Sequence, residues 1–218
     1  MPPLFKTEAD LPAVIPVFPL SGALLLPRGQ LPLNIFEPRY LAMVDDALGS
    51  HRLIGMIQPE SEEMGRPPLF QVGCVGRITQ FAETGDGRYL IQLTGISRFR
   101  VLEEEVVPTL YRQCRITAAP FATDFQPRAG EEEVDREALL DTLRAYLDVH
   151  RFQVNWNEVN EAPNEALVNA LSMMSPFGRR EKQALLEARN LRERAEILVA
   201  ITQIELAKGG DGSDTPLQ

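Results

Sequence analysis

At 218 residues the chain has room for one large domain or two small ones, and its 44% hydrophobic and 24% charged content is that of an ordinary soluble globular protein. The net charge of −9 comes from 12 basic and 14 acidic residues up to Gly130, then 10 basic and 17 acidic. Such a balance, with no Lys/Arg cluster, argues against nucleic acid and anionic membrane surfaces as partners.

The opening segment, MPPLFKTEADLPAV, lacks the apolar core of a signal peptide, and no run approaches the roughly 18–20 apolar residues of a membrane span. Cys74 and Cys114 stand alone in apolar segments, as single buried thiols do in a reducing compartment, so a cytoplasmic protein is expected.

Val14 to Leu20 is a short apolar strand interrupted by prolines, as edge strands tolerate. Ala23–Leu26 and Leu31–Phe36 are further apolar segments around the turn Pro27-Arg28-Gly29. Pro38 suits a first helical position, and Leu41, Val44 and Leu48 mark one face of a helix ending near Gly49. Leu53 to Gln58 is the next strand, and the polar stretch from Pro59 to Pro68 is a loop. The clearest β signal follows: Val72–Thr84 and Arg88–Ile96 flank Gly85-Asp86-Gly87, a hairpin turn. Arg98–Val107 and Tyr111–Ala118 supply two more strands, divided by Pro108.

Composition shifts near Pro120. Residues 120–130 form a linker broken by Pro127 and Gly130, and 131–208 is helical. Glu131-Glu132-Glu133 suits a helix N-terminus, followed by Leu140, Leu143 and Leu147 on one face. From Pro163, the run Ala166 to Met174 has almost no polar face, which predicts a helix at the centre of the bundle with Met173 and Met174 in its core. Arg179–Arg189 and Leu191–Lys208 are the last two helices, the latter turning Ile197, Leu198, Ile201 and Ile204 inward. Residues 209–218 are expected to be a disordered tail. The predicted fold is α+β: a twisted, barrel-like antiparallel β lobe over 14–119 with one inserted helix, then a C-terminal helical bundle.

Catalytic and cofactor motifs are missing. His51 and His150 are far apart, the cysteines are not adjacent, and no zinc spacing results. Neither G-x-x-x-x-G-K-[ST] nor G-x-G-x-x-G occurs. No serine sits on a nucleophile elbow, and Lys6, Lys182 and Lys208 read as solvated lysines, Lys182 on an exposed helix face between Glu181 and Gln183. The runs at Glu103 and Glu131 read as solvated charge. No metal and no cofactor is expected.

One phrase is more specific: Phe18-Pro19-Leu20, Leu26-Pro27, then Leu31-Pro32-Leu33-Asn34-Ile35-Phe36-Glu37-Pro38-Arg39-Tyr40. With Val72–Ile78, Gly85–Tyr89, Leu93–Arg100 and Glu181–Glu187, it resembles the N-terminal substrate-recognition domain of Lon proteases over most of Val14–Ala207. Arg28 before Gly29, and Asn34 where that family usually has His, are mild departures. The resemblance implies a β lobe with an inserted helix followed by a helical bundle. It also implies a stand-alone, non-catalytic module, because the ATPase and Ser–Lys peptidase modules of a full-length Lon are not matched. The partners implied are unfolded or extended polypeptides, or alternatively one folded protein that the chain docks as an adaptor.

Glu37, Arg39, Tyr40 and Met64 are the candidate polypeptide-binding residues. The first three either line a groove or simply start a helix, with Arg39 paired to a carboxylate and Tyr40 packed on the β lobe. Met64 lies in the Pro59–Pro68 loop, the candidate contact element. Trp156, between two helices, either anchors a partner or covers the end of the bundle.

Overall fold

The computed structural model of the chain describes residues 5–63, 65–150 and 154–210. Six strands form one sheet: β1 (Val14–Pro19), β2 (Gln30–Ile35), β3 (Leu53–Ile57), β4 (Val72–Glu83), β5 (Tyr89–Glu104) and β6 (Arg112–Thr117). Their order is β2-β5-β4-β3-β1-β6, and β5 also pairs with β6, so five strands close into a ring with β2 outside it. Every pairing is antiparallel except β1 with β3. That exception follows from connectivity: helix α1 (Pro38–Leu48) lies between these strands in sequence, and parallel neighbours need such a crossover.

The ring closes because β5 is long enough to serve two partners. The expected strands on either side of Ser97 are one 16-residue strand. Its first half pairs with β2 and its second half with β6. Register shifts in the β4–β5 pairing fall at Val75/Gly76 and Ile78/Gln80, where extra residues sharpen the twist. Inside the ring sit Ile15, Val17, Leu53, Ile57, Val75, Phe99 and Cys114, all buried. Phe99 fills the middle, and Gly55 and Gly73 leave room for it: a Cβ on Gly73 would stand 2.5 Å from the ring. Ala23–Leu26 is not a strand. It is a loop that buries Leu24, Leu25 and Leu26 and crosses β5 at Gly95, where Arg28 N–H donates to Gly95 O (2.8 Å) and Gly95 N–H to Gly29 O (2.9 Å).

The other face of the sheet joins α1 and the helices in a second, larger core. Segment 119–125 is a 3-10 stretch kinked at Phe121, with Phe121 and Asp124 buried. Glu131–Glu133 is a short 3-10 turn, and α2 (Arg136–His150) starts after it. Then come α3 (Trp156–Glu161), α4 (Asn164–Met174), α5 (Arg179–Glu187) and α6 (Leu191–Gly210). The central helix is α6, which packs on α2, α4 and α5; α4 does not take that place. Only Leu167, Val168, Asn169 and Ser172 of α4 are buried, and Met174 is 82% exposed. Alanines and methionines made α4 apolar all round without obliging it to be covered all round. Ile204, expected inward, is exposed on the last turns of α6.

Lys182 corrects another expectation. It is only 8% exposed, its Nζ donates to Met173 O (3.3 Å), and burial lowers its pKa. Charged neighbours in sequence did not reveal that α5 lays the face bearing Lys182, Gln183, Leu185 and Leu186 inward. Gln183 in turn meets the β side, where its Nε2 donates to Val72 O (3.1 Å) and its Oε1 accepts from Gln58 Nε2 (3.1 Å). Both thiols are free and buried. Trp156 opens α3, half-buried, with the Arg144 guanidinium 5.1 Å from its ring centre. Of the expected tail over 209–218, Gly209 and Gly210 belong to the end of α6, and 211–218 lie outside the described residues.

Candidate functional site

Helix α1 begins at Pro38, whose fixed φ suits a first helical residue and whose missing N–H is no loss there. Glu37 precedes it in extended conformation and gives its backbone carbonyl to Tyr40 and Leu41 N–H. Its carboxylate does not cap the helix; it accepts from Arg39 Nε at 3.0 Å. The Arg39 guanidinium lies 4.5 Å from the centre of the Tyr40 ring, which in turn sits 4.2 Å from Phe18 on β1. Tyr40 is buried, and burial raises the pKa of its hydroxyl.

Arg39 and Tyr40 form one wall of a cleft of about 380 Å³. Pro19 and Ser21 border it from the end of β1, and Pro59, Ser61 and Pro67 from the loop after β3. Leu110, Tyr111 and Arg112, leading into β6, close the other side. Leu110 is 71% exposed, a large apolar side chain presented to solvent at the edge of the cleft. Glu37 does not line the cleft; it pairs with Arg39, which does. Met64 lies outside the described residues, although its neighbours Glu62, Glu63 and Gly65 border the same cleft.

The frame around the cleft is hydrogen-bonded. Tyr111 Oη donates to Asp46 Oδ2 of α1 (2.6 Å), and burial, then this carboxylate, push its pKa up to about 12. Glu104 at the end of β5 accepts from Arg112 Nε (2.9 Å) and Arg66 Nε (3.0 Å), and Arg112 holds its pKa below the usual value. Arg112 also donates to Pro67 O (2.7 Å), while Pro59 and Leu69 form a bridge that closes the base of the loop. The Ser61 hydroxyl is buried with no hydrogen-bond partner among the described residues. Proline, aromatic and leucine surface therefore lies beside charged groups that are mostly satisfied. Such a surface can hold an apolar side chain of an extended segment and offer polar contacts to its backbone.

The β5–β6 connection carries Leu110 and Tyr111 to this site, and the sequence reading missed both. Their only signal was Thr109-Leu110-Tyr111 directly after Pro108, where an apolar residue beside a strand end is ordinarily core.

Residues 14–203 match the family model described as the ATP-dependent protease La (LON) substrate-binding domain. A Lon protease of Anaeromyxobacter dehalogenans is 32% identical over 146 residues, 66% of this chain and 16% of that protein. Lon protease 2 of Sorangium cellulosum is 28% identical over 201 residues, 88% of this chain and 25% of the relative. The chain thus spans a quarter or less of the length of these relatives. The same fold occurs in a Lon N-terminal domain protein from Xanthomonas campestris, with TM-score 0.61, 24% identity, and coverage of 86% of this chain and 97% of that one. It occurs again in the N-terminal domain of Mycobacterium avium complex Lon protease, with TM-score 0.65, 20% identity, and coverage of 87% and 98%. The chain belongs to the LON substrate-binding domain family.

Proposed function

We propose that this chain is a non-catalytic, cytosolic module that binds exposed segments of other polypeptides in the cleft between α1, the Pro59–Leu69 loop and the β5–β6 connection. The observation that carries this reading is the lining itself: Leu110 is presented to solvent at the rim, half-buried Pro19 and buried Tyr40 and Pro59 form the apolar wall behind it, and the fold belongs to a family described by substrate binding. Leu110 supplies apolar contact, Arg39 a cation, and Ser61 an unmatched hydroxyl for a backbone carbonyl or N–H. Addition of a strand at β2 is the weaker route, because Pro32 removes a donor from that strand.

Fluorescence anisotropy of a labelled, permanently unfolded polypeptide, with a tightly folded protein as control, tests the proposal. Preferential micromolar binding of the unfolded chain is the expected outcome. Binding of neither probe would point instead to an adaptor with one dedicated partner, to be sought by stoichiometric pull-down. Turnover of a peptide library by the purified chain would contradict the non-catalytic reading.

A further inference from the structure

A second cleft, of about 210 Å³, opens where the β lobe meets the helices. Three guanidiniums line it, from Arg28, Arg98 and Arg194. Two have a carboxylate of their own: Arg98 is paired with Asp124 and Arg28 with Glu165. Arg194 does not. It is 4% exposed, its Nε donates to Leu185 O (2.9 Å), its Nη1 donates to Asn169 Oδ1 (3.1 Å), and its Nη2 meets no acceptor among the described residues.

The nearby carboxylates are already engaged. Asp124 accepts from Arg98 Nε, Nη2 and backbone N–H, and Glu165 accepts from Arg28 and from the backbone N–H of Arg128. Glu133 also borders the cleft, but it is exposed and its charge is shared with water. Burial first, and then Arg98, push the Arg194 pKa down to about 10, so the side chain is still a cation at neutral pH. A buried cation with an unmatched donor is unfavourable until an anion reaches it. The start of α6 adds to the same field: Asn190 Oδ1 accepts from Glu193 N–H (2.8 Å), and the positive end of this 20-residue helix borders the cleft at Asn190 and Leu191. Thr123 and Gln126 bring exposed polar side chains to the same lining.

We infer that this cleft binds a small oxyanion, a phosphate or a carboxylate, with the buried Arg194 guanidinium as the cation at its base. Because Arg98 and Arg28 join the two lobes around it, the bound anion would also stabilise the seam between them.

Isothermal titration of the full chain with inorganic phosphate and, separately, acetate, each against chloride at matched ionic strength, tests this. Saturable one-to-one binding of either anion is expected, and the tighter of the two identifies the class. Arg194→Gln should weaken it by at least about tenfold, the loss expected for a charge-assisted hydrogen bond. Thr123→Glu, an exposed position whose change leaves the core intact, should weaken it comparably by placing a like charge in the lining. It keeps the test decisive if Arg194→Gln does not fold. No saturable binding of either anion by the wild-type chain, or undiminished binding by the folded variants, would overturn the inference.

Discussion

Arg98 on β5 and Asp124 on the 3-10 segment after β6 meet through two parallel contacts, Nε to Oδ2 and Nη2 to Oδ1, both at 2.8 Å. The remaining nitrogen of Arg98 donates to the carbonyls of Leu186 and Ala188 at the end of α5, and its guanidinium lies 4.5 Å from the Phe121 ring centre. One buried side chain from the β lobe thus satisfies the open end of a helix and the carboxylate of the connecting segment. Removing it leaves Asp124 buried without its cation. Arg98→Met is expected to lower stability by about 3–5 kcal/mol, whereas Arg192→Ala, which breaks an exposed pair with Glu196, should leave it essentially unchanged. Urea unfolding midpoints of the two variants check the contrast.

Backbone proximity at the crossing of β5 gives a second test. A Cβ on Gly95 would stand 2.1 Å from Leu26 O, and a carbonyl held by its own loop cannot yield cheaply. Gly95→Ala should cost more than about 2 kcal/mol, while Gly85→Ala in the hairpin turn, with nothing within 4 Å, should stay within about 1 kcal/mol. Gly29→Ala is intermediate, because the obstacle at 2.4 Å is the Met173 sulfur. Adding Met173→Ala should recover much of the Gly29→Ala loss, which a double-mutant cycle would show.

Much of this was legible from residue pattern, and the exceptions have physical causes. The β4–β5 hairpin and the start of α1 follow from local chemistry: Gly87 takes a φ of 78°, and Pro38 stands at the first helical position. A barrel-like lobe was expected, but the parallel β1–β3 pair and the strand order of the ring were not legible, because they depend on which distant strand each edge meets. Lys182 misled for a related reason. A charged residue on a helix signals solvent only if no neighbouring element supplies a carbonyl, and here Met173 does. At the candidate cleft, Arg39 and Tyr40 came from a recognisable phrase, whereas Leu110 and Tyr111 arrive by tertiary folding alone.

The two thiols should be chemically silent in the folded protein. Burial pushes the Cys74 thiol far up and the Cys114 thiol up to about 11, so neither forms much thiolate at pH 8. A chromogenic disulfide reagent should register almost no reaction under native conditions and two equivalents in denaturant.

Stability should fall at both pH extremes for named reasons. Tyr111 has its pKa raised from 10.0 to about 12 in the folded state, so its contribution is full below pH 10 and is lost as pH rises towards 12. Tyr111→Phe should flatten that alkaline decline. Glu104 is shifted the other way by Arg112, so its contribution is present above its ordinary pKa of 4.5 and fades as pH falls. Glu104→Gln should lower stability at neutral pH and reduce the acid-side slope. Thermal unfolding across pH, compared with the parent chain, reads out both.

Polypeptide binding in the cleft beside α1 should depend on the side chains at its exposed rim. Anisotropy titration of a labelled unfolded chain against the wild-type protein and against Leu110→Asp and Arg39→Glu tests it most directly. Leu110 is 71% exposed and the Arg39 side chain about half exposed, so both variants should keep the parent's fold, which thermal unfolding checks. Leu110→Asp should weaken binding at least about tenfold and Arg39→Glu severalfold, through loss of an apolar anchor and reversal of a rim charge. Unchanged affinity in both folded variants would contradict it and move the binding surface elsewhere on the molecule.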